Sequence, residues 1–330
     1  MINEMLSKIK EYKRIIIHRH LRPDGDCIGS QHALKKALQL NFPEKEVYAV
    51  GDVIPPYLSE YGVLDEISDD MYKGSLVIVV DTATTERICD DRYKLADFII
   101  KIDHHDDSPC YANINYIDPV MPACGAIMVR LFKEWGFTLN KEIATYLFLA
   151  IVTDTGRFRF RGVNHELLAN AGYLLEYGVD TEALYTGLYL KEDAIYRLQA
   201  YVYSHFKRTK NGVAYIHFTK DMMQKYGVTK DDAANLVSSL DSIKGSLIWV
   251  AFVDQLYESD PSKELDPANE VRVRIRSRFV SVNHVARDFR GGGHLQACGA
   301  TIYSKREKTL LLKALDNTLK EYLKEHPEAK

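Results

Sequence analysis

Three short apolar runs, each followed by acidic residues and histidines, constrain the fold of this chain most strongly. The runs are rich in valine and isoleucine and too short for helices, which is typical of buried parallel strands. Segments with the apolar spacing of helices follow them, so the alternation predicts an α/β fold with a parallel, doubly wound sheet. The predicted strands are 14–17, 76–80 and 98–102, and the predicted helices are 30–40, 125–135 and 142–152.

The length and composition indicate a two-domain globular protein. The chain has 330 residues, of which 46% are hydrophobic and 27% are charged. A net charge of -3 argues against a protein that binds long duplexes by a basic surface. No run approaches the roughly 20 apolar residues that span a bilayer, and the first residues lack the apolar core of a secretory signal. We therefore expect a cytoplasmic protein without a membrane partner.

The cysteines favour a reducing compartment. There are 5 of them, an odd number, and none forms a C-x-x-C pair. Cys27, Cys124 and Cys298 lie close to the polar motifs, and we interpret them as small space-filling residues rather than nucleophiles.

The sequence changes character after residue 185. Residues 186–210 read as connecting helical segments, and a new set of strands begins near Val213. A polar, proline-bearing stretch at 254–270 predicts a surface hairpin loop. We therefore expect a domain at 1–185, a helical linker at 186–210 and a smaller α/β domain at 211–330, with a cleft between the domains.

Polar residues gather where the predicted parallel strands end. Because ligands of such sheets bind at the carboxyl ends of the strands, we expect these side chains to meet there. Carboxylates with imidazoles and no thiolate suit Mn²⁺, Mg²⁺ or Fe²⁺ better than structural zinc. There are more of them than one ion needs, which indicates two ions, the arrangement that promotes in-line displacement at phosphorus. The residues are His20, Asp24, Asp26, Asp81, Asp103, His104, His105 and Asp154.

Each cluster alone also has an ordinary interpretation. Pro23-Asp24-Gly25 is good turn chemistry, a His-His pair is often polar surface, and an aspartate after a strand often caps a helix. The occurrence of four clusters at one expected edge favours the metal site. We expect Pro23 and Gly25 to shape a tight turn, and a helix to begin at Gly29-Ser30 with its free N–H groups towards the site.

Five motifs together resemble the DHH phosphoesterase superfamily. HRHLRPDGDCIGS, VVDTA, the Asp103-His104-His105 triplet and TDTGRF resemble its four metal motifs in order. GGGH at 291–294 resembles the signature of the DHH-associated C-terminal domain. The order and spacing are most similar to the NanoRNase branch, also called bifunctional oligoribonuclease and pAp phosphatase.

The resemblance implies a role for each residue of the motifs. His20, Asp24 and Asp81 would bind one Mn²⁺, and Asp81 would bridge to the second ion, with Mg²⁺, Co²⁺ or Fe²⁺ as substitutes. The second ion would be held by Asp26, Asp81, His104 and Asp154. His105 would face the substrate phosphate, with Asp103 behind it to orient an imidazole. His18 has a supporting role in this interpretation, and a hydrogen-bonded strand-end histidine is the alternative.

The C-terminal domain would bind the substrate. Gly291, Gly292 and Gly293 precede His294, and such glycines let backbone amides approach an anion, although a plain glycine turn is the alternative. In VRVRIRSRF the arginines alternate with apolar residues, so they share one face of a strand, and a solvated edge strand is the ordinary interpretation. The resemblance implies that Arg276 and Ser277 contact a nucleotide phosphate. For Arg130 and Arg157, a position in the cleft and a position on the outer surface are both open.

One segment departs from the family pattern. Ala123, Cys124 and Gly125 replace the hydroxyl residues that many relatives carry where a helix opens. An anion contact through side chains is therefore in doubt there, whereas backbone amides could still make it.

The resemblance implies a Mn²⁺-dependent phosphodiesterase or phosphatase that acts on short oligoribonucleotides, 3′-phosphoadenosine 5′-phosphate (pAp) or pApA. The alternatives are a cyclic-dinucleotide phosphodiesterase, a pyrophosphatase-like phosphohydrolase and a non-catalytic nucleotide-binding module. The expected partner is a short RNA or small nucleotide, and the oligomeric state stays open between a monomer and a homodimer.

Overall fold

A computed structural model describes residues 1–106, 108–160, 162–260 and 262–329 of the chain. The chain divides into two compact units, Met1–Leu190 and a second unit that begins at Lys191. No helix among the described residues is both long enough and apolar enough to cross a membrane.

The first unit is built on a parallel sheet of five strands in the order β2-β1-β3-β4-β5. The strands are β1 (Arg14–His18), β2 (Glu46–Ala49), β3 (Leu76–Val80), β4 (Phe98–Asp103) and β5 (Ile114–Ile117). The three predicted strands are confirmed, as is the parallel α/β class. Strands β2 and β5 at the two edges were not predicted, because each has only four residues and carries polar side chains.

Helices cover one face of this sheet. They are α1 (Ile2–Glu11), α2 (Gly25–Asn41), α3 (Cys124–Glu134), α4 (Lys141–Asp154), α5 (His165–Leu175) and α6 (Thr181–Tyr189). Ile15, Ile17 and Ile78 of the strands pack against them in the main core. The opposite face carries a smaller cluster in which Ile16 and Val77 pack with Tyr72 and Tyr93, beside short 3₁₀ turns.

The second unit has a mixed sheet of six strands in the order β10-β11-β9-β8-β7-β6. The strands are β6 (Lys207–Arg208), β7 (Ala214–Phe218), β8 (Ile248–Asp254), β9 (Val271–Ser277), β10 (Gly292–Gly293) and β11 (Ala297–Ile302). The helices are α7 (Asp193–His205), α8 (Lys220–Tyr226), α9 (Lys230–Asn235), α10 (Asn283–Asp288) and α11 (Lys305–Glu325).

The hairpin predicted around 254–270 joins β8 and β9, which pair in antiparallel register from Ile248↔Ser277 to Asp254↔Val271. Position 261 of its loop lies outside the described residues. On β9 the arginines do share one face, since Val273 and Ile275 are buried whereas Arg272 and Arg274 are exposed. The predicted alternation is therefore confirmed.

Candidate metal centre

The first sheet brings its polar strand ends together at one edge. His20 follows β1, Asp81 follows β3, and Asp103 is the last residue of β4. Parallel strands end on the same side, and β1 and β3 are neighbours at the point where the strand order reverses, so this edge is the expected ligand-binding position. Helices complete the set, because Asp24 and Asp26 lie at the beginning of α2 and Asp154 at the end of α4.

Asp81 lies at the centre of this cluster. Its Oδ2 is 3.4 Å from Nε2 of His20, and its Oδ1 is 3.3 Å from Nε2 of His104. Asp81 as a whole residue is 2% exposed, and no residue that the structure describes donates a hydrogen bond to Oδ1. The backbone of Asp81 has a φ of 48°, in the left-handed region, which costs a non-glycine residue about 1–3 kcal/mol. Such backbone strain at a buried, unsatisfied carboxylate is typical of a functional site.

A second group forms around His104. Its Nε2 lies 3.3 Å from Oδ2 of Asp154 and 3.8 Å from Oδ2 of Asp26. One ligand atom from each of these three residues lies within 4.8 Å of the others. Asp24 joins the other side of the cluster, with its Oδ2 3.8 Å from Nε2 of His20. The structure therefore brings together all six residues predicted as metal ligands.

The beginning of α3 holds the carboxylate of Asp26. The backbone amides of Cys124 and Gly125 donate to its two oxygens at 2.6 and 2.8 Å, and Ser30 donates from its hydroxyl at 3.1 Å. The backbone amides at this helix opening, for which an anion contact was left open, thus bind a carboxyl group, and that group is a side chain of this protein. A Cβ on Gly125 would lie 2.4 Å from Cβ of Ala150, so glycine is required there.

Helix α2 begins earlier than expected. The prediction of a start at Gly29-Ser30 is wrong, because Asp24 is the N-cap and accepts a hydrogen bond from the amide of Cys27 at 3.1 Å. Asp26 therefore lies in the first turn of the helix rather than on a loop. Gly25 and Gly29 allow close packing against α4. A Cβ at Gly25 would lie 2.4 Å from the side chain of Thr153, and a Cβ at Gly29 would lie 2.4 Å from the carbonyl oxygen of Tyr146.

The electrostatics of the cluster favour added positive charge. Burial, followed by the charges of Asp81 and Asp154, raises the pKa of Asp26 well above its usual range. Burial also raises the pKa of Asp154 to about 7. Burial acts against a charged imidazole, yet the neighbouring carboxylates Asp81 and Asp154 raise the pKa of His104. The carboxylates are thus too close to be ionised together without compensation, and oxygen with imidazole ligands fits divalent cations such as Mn²⁺ or Mg²⁺.

The Asp103-His104-His105 triplet is anchored by a buried lysine that the sequence analysis missed. Asp103 accepts a hydrogen bond from Nδ1 of His105 at 2.7 Å, which orients that imidazole as expected. On its other side, Asp103 accepts from the hydroxyl of Ser108 and lies 3.5 Å from Nζ of Lys101. Lys101 is 0% exposed and donates to the carbonyl oxygens of Ala83 and Pro109. The available signal was a lysine inside the apolar run FIIKID.

The residues whose roles were left open lie in different surroundings. His18 is buried and its Nε2 lies 3.1 Å from the hydroxyl of Tyr72, as in a hydrogen-bonded histidine at a strand end, and burial lowers its pKa to about 3. Arg130 forms ion pairs with Asp118 and Glu166. Arg157 has a φ of 62° and its guanidinium lies 4.5 Å from the ring centre of Tyr189.

The predicted substrate residues lie in the second unit. Arg276 donates to the carbonyl oxygens of Ile275 and Cys298, and Ser277 is buried with its hydroxyl 2.5 Å from the carbonyl oxygen of Val280. Gly292 and Gly293 pair with β11, and a Cβ at Gly291 would lie 2.0 Å from the carbonyl oxygen of Gly299. Gly291 and Gly293 therefore have a structural use in this tight hairpin, whereas a Cβ at Gly292 would contact nothing, and His294 after them is exposed. Their contact with substrate stays a prediction.

Comparisons with known proteins agree with the architecture. A model of the DHH family, N-terminal domain, matches residues 14–151, and a DHHA1 domain model matches residues 210–321. Over 325 residues the chain is 36% identical to the bifunctional oligoribonuclease and PAP phosphatase NrnA of Bacillus subtilis (strain 168), covering 98% of this chain and 100% of that protein. The chain belongs to the DHH family.

Two further proteins are similar over nearly the whole chain. A probable bifunctional oligoribonuclease and PAP phosphatase NrnA of Streptococcus mutans is 37% identical, covering 96% of this chain and 98% of that protein. The crystal structure of an exopolyphosphatase-related protein from Bacteroides fragilis matches with a TM-score of 0.83 and 26% identity, covering 97% of this chain and 96% of that one. The two-domain DHH and DHHA1 architecture is therefore confirmed.

Proposed function

We propose that this chain is a two-metal phosphoesterase that hydrolyses short oligoribonucleotides and pAp or pApA to mononucleotides. The observation that carries the proposal is the cluster around Asp81, in a chain that aligns from end to end with proteins named for these two activities. Because the second unit contains an arginine-lined strand and a glycine hairpin, it offers groups suited to nucleotide phosphates.

Each residue of the cluster has a defined part in this proposal. His20, Asp24 and Asp81 would hold one Mn²⁺, and Asp81 would also contribute to the second site, with the residues Asp26, His104 and Asp154. Bound divalent ions would polarise the phosphate oxygens and lower the pKa of a water molecule. The Asp103 carboxylate holds Nδ1 of His105, so this imidazole is oriented before substrate binds.

The amides at the beginning of α3 keep Asp26 in one position, and the capped first turn of α2 does the same for Asp24. Ligands fixed in this way need little rearrangement when ions bind, which is the usual condition for catalytic metal sites.

An activity panel tests the proposal. Purified protein with Mn²⁺ is assayed against pAp, pApA, di- to pentaribonucleotides, cyclic dinucleotides and pyrophosphate, with product analysis by chromatography. We expect mononucleotides from the short RNAs and pApA, and phosphate from pAp. Hydrolysis of pyrophosphate or cyclic dinucleotides alone would show a different phosphoesterase, and binding without hydrolysis would show a nucleotide-binding module.

The variant Asp81→Asn is the matched control for this panel. The amide keeps the size of the side chain and tolerates the left-handed backbone, but it removes the charge shared by both groups of ligands. We expect kcat to fall on the order of 10³-fold or more, at least the loss seen when one transition-state contact is removed. A variant with near wild-type activity would contradict the central role of Asp81.

A further inference from the structure

A cysteine thiol lies inside the candidate metal centre. Cys27 is 0% exposed, and its sulfur is 4.0 Å from the carbonyl oxygen of His20. One ligand atom each from His20, Cys27 and Asp81 lies within 4.8 Å of the other two, and all three residues are buried. The other two groups with this spacing among the described residues contain only oxygen and nitrogen ligands. The sulfur of Cys27 thus lies within ligating distance of two candidate metal ligands.

The first turn of α2 places this thiol beside the metal ligands. Asp24 is the N-cap, and Cys27 follows three residues later, so the two side chains lie on the same face of the turn. The imidazole of His20 completes the arrangement. Its Nδ1 lies 2.9 Å from the carbonyl oxygen of Leu21 and 3.2 Å from Nη2 of Arg87, so this nitrogen already has hydrogen-bond partners. Nε2, the atom near Asp81 and Asp24, is then available as a ligand.

The donor set on this side differs in kind from the set around His104. Carboxylates and imidazoles suit Mn²⁺ and Mg²⁺, whereas a thiolate selects softer ions such as Zn²⁺ and Cd²⁺. Asp24 is not one of the three residues within 4.8 Å of one another, but its Oδ2 lies 3.8 Å from Nε2 of His20. The four side chains together offer one sulfur, one nitrogen and two carboxylates, the number of ligands that four-coordinate zinc needs. A site closed by four protein ligands keeps no position for water or substrate.

We propose that His20, Cys27 and Asp81 form an inhibitory site for a thiophilic divalent cation, with Asp24 as the fourth ligand. Zn²⁺ or Cd²⁺ displaces the harder ion on this side, and the proton of the thiol passes to water as the metal–sulfur bond forms. Because Asp81 belongs to both groups of ligands, the cation also withdraws it from the second site. The inhibition rests on the proposed function, whereas the binding of the cation does not.

Cadmium titration of the metal-free protein tests binding without any substrate. We expect a cadmium–thiolate charge-transfer absorption that saturates at one equivalent in the wild type and is lost in Cys27→Ala. Cys110→Ala, which removes an exposed cysteine, should keep it. Cys124→Ala removes the other buried thiol of this region, on a residue whose backbone amide rather than sulfur contacts Asp26, and should also keep it. An unchanged absorption in Cys27→Ala would overturn the proposal.

Two further measurements complete the test. With Mn²⁺ present, Cys27→Ala should need on the order of tenfold or more Zn²⁺ for half inhibition, since even residues behind the ligands change metal affinity by 10–100-fold. If Cys27→Ala does not fold, X-ray absorption spectra of the wild type and of Cys124→Ala, each with one equivalent of zinc, show whether sulfur binds the ion. A sulfur neighbour at about 2.3 Å supports the site, and only oxygen and nitrogen neighbours refute it. Cadmium binding through Cys27 in a protein without hydrolase activity would refute the proposed function alone.

Discussion

The two units differ in how they place the charged side chains closest to their predicted sites. In the first unit, Arg19, Lys101 and Asp103 are 0% exposed, and neighbouring carbonyl or polar groups hold them in place. In the second unit, Arg272 and Arg274 stand on the exposed face of β9. Buried charges are costly unless they are paired and hydrogen-bonded, whereas exposed charges cost little and contribute little to stability. The buried charges of the first unit therefore lower its stability but hold the side chains at the site in fixed positions. The exposed arginines of the second unit can change conformation when a ligand binds.

The substitution Lys101→Met gives the largest expected difference between the units. It removes the lysine donor to the carbonyl oxygen of Pro109 and one of the two donors to the carbonyl oxygen of Ala83, and it leaves Asp103 without its nearby positive charge. We expect the free energy of unfolding of the first unit to fall by about 3 kcal/mol. The matched control Arg274→Met, at an exposed position of the second unit, should change stability by less than about 0.5 kcal/mol.

The two tryptophans allow this comparison to be read separately, since Trp135 lies in the first unit and Trp249 in the second. Urea unfolding is followed by the fluorescence of Trp135 in a Trp249→Phe background, and by that of Trp249 in a Trp135→Phe background. If Lys101→Met and Arg274→Met lowered the free energy of unfolding of their units equally, the contrast between buried and exposed charge would have no energetic basis.

The next effect concerns the pH dependence of stability. Burial lowers the pKa of His18 from 6.5 to about 3, so between these values the unfolded chain binds a proton that the folded chain does not. The free energy of unfolding therefore falls as the pH falls from about 6.5 to 3. His18→Asn should remove up to about 1.4 kcal/mol per pH unit of this slope, measured by urea unfolding of metal-free protein. Above pH 7 the free energies of unfolding of wild type and variant should change with pH in the same way. Identical pH dependence of the two below pH 6.5 would contradict the prediction.

The smallest effect is expected on substrate affinity in the second unit. If Arg276 binds a nucleotide phosphate, Arg276→Met should raise KM for pAp about tenfold, which is about 1.4 kcal/mol, and leave kcat within about twofold. Arg272→Met is the control, because this arginine is exposed and already paired with Glu270 at 2.8 Å. A fall in kcat with unchanged KM would show that Arg276 acts in catalysis rather than in substrate binding. It would weaken the contrast between fixed groups in the first unit and adjustable groups in the second.

The parts that could be predicted from the sequence are those with a strong local pattern. The strands β1, β3 and β4 have continuous apolar runs, and the acidic and imidazole residues after them meet as expected because parallel strands end at one edge. The beginning of α2 was predicted too late, because Pro23-Asp24-Gly25 was also good turn chemistry and the cap by Asp24 was therefore not recognised. The packing of Gly25 against Thr153 depends on α4, more than a hundred residues away.

Two features of the site could not be placed from local signals. The sequence left open an anion contact through the backbone amides at the beginning of α3, but nothing local indicated that their partner is the carboxylate of Asp26. The position of the Cys27 sulfur beside His20 and Asp81 depends on the fold of three separate segments, so its identity as a small apolar residue was the natural expectation.

The left-handed backbone at Asp81 also limits how the site can change over time. Asparagine, aspartate and glycine accept this conformation more readily than other residues, so glutamate cannot easily replace Asp81 although it carries the same carboxylate. Evolution of a different ion preference in this scaffold, in nature or by engineering, is therefore easier at neighbouring positions such as Cys27, whose helical backbone accepts many side chains. The most central residue is in this sense the least adjustable one.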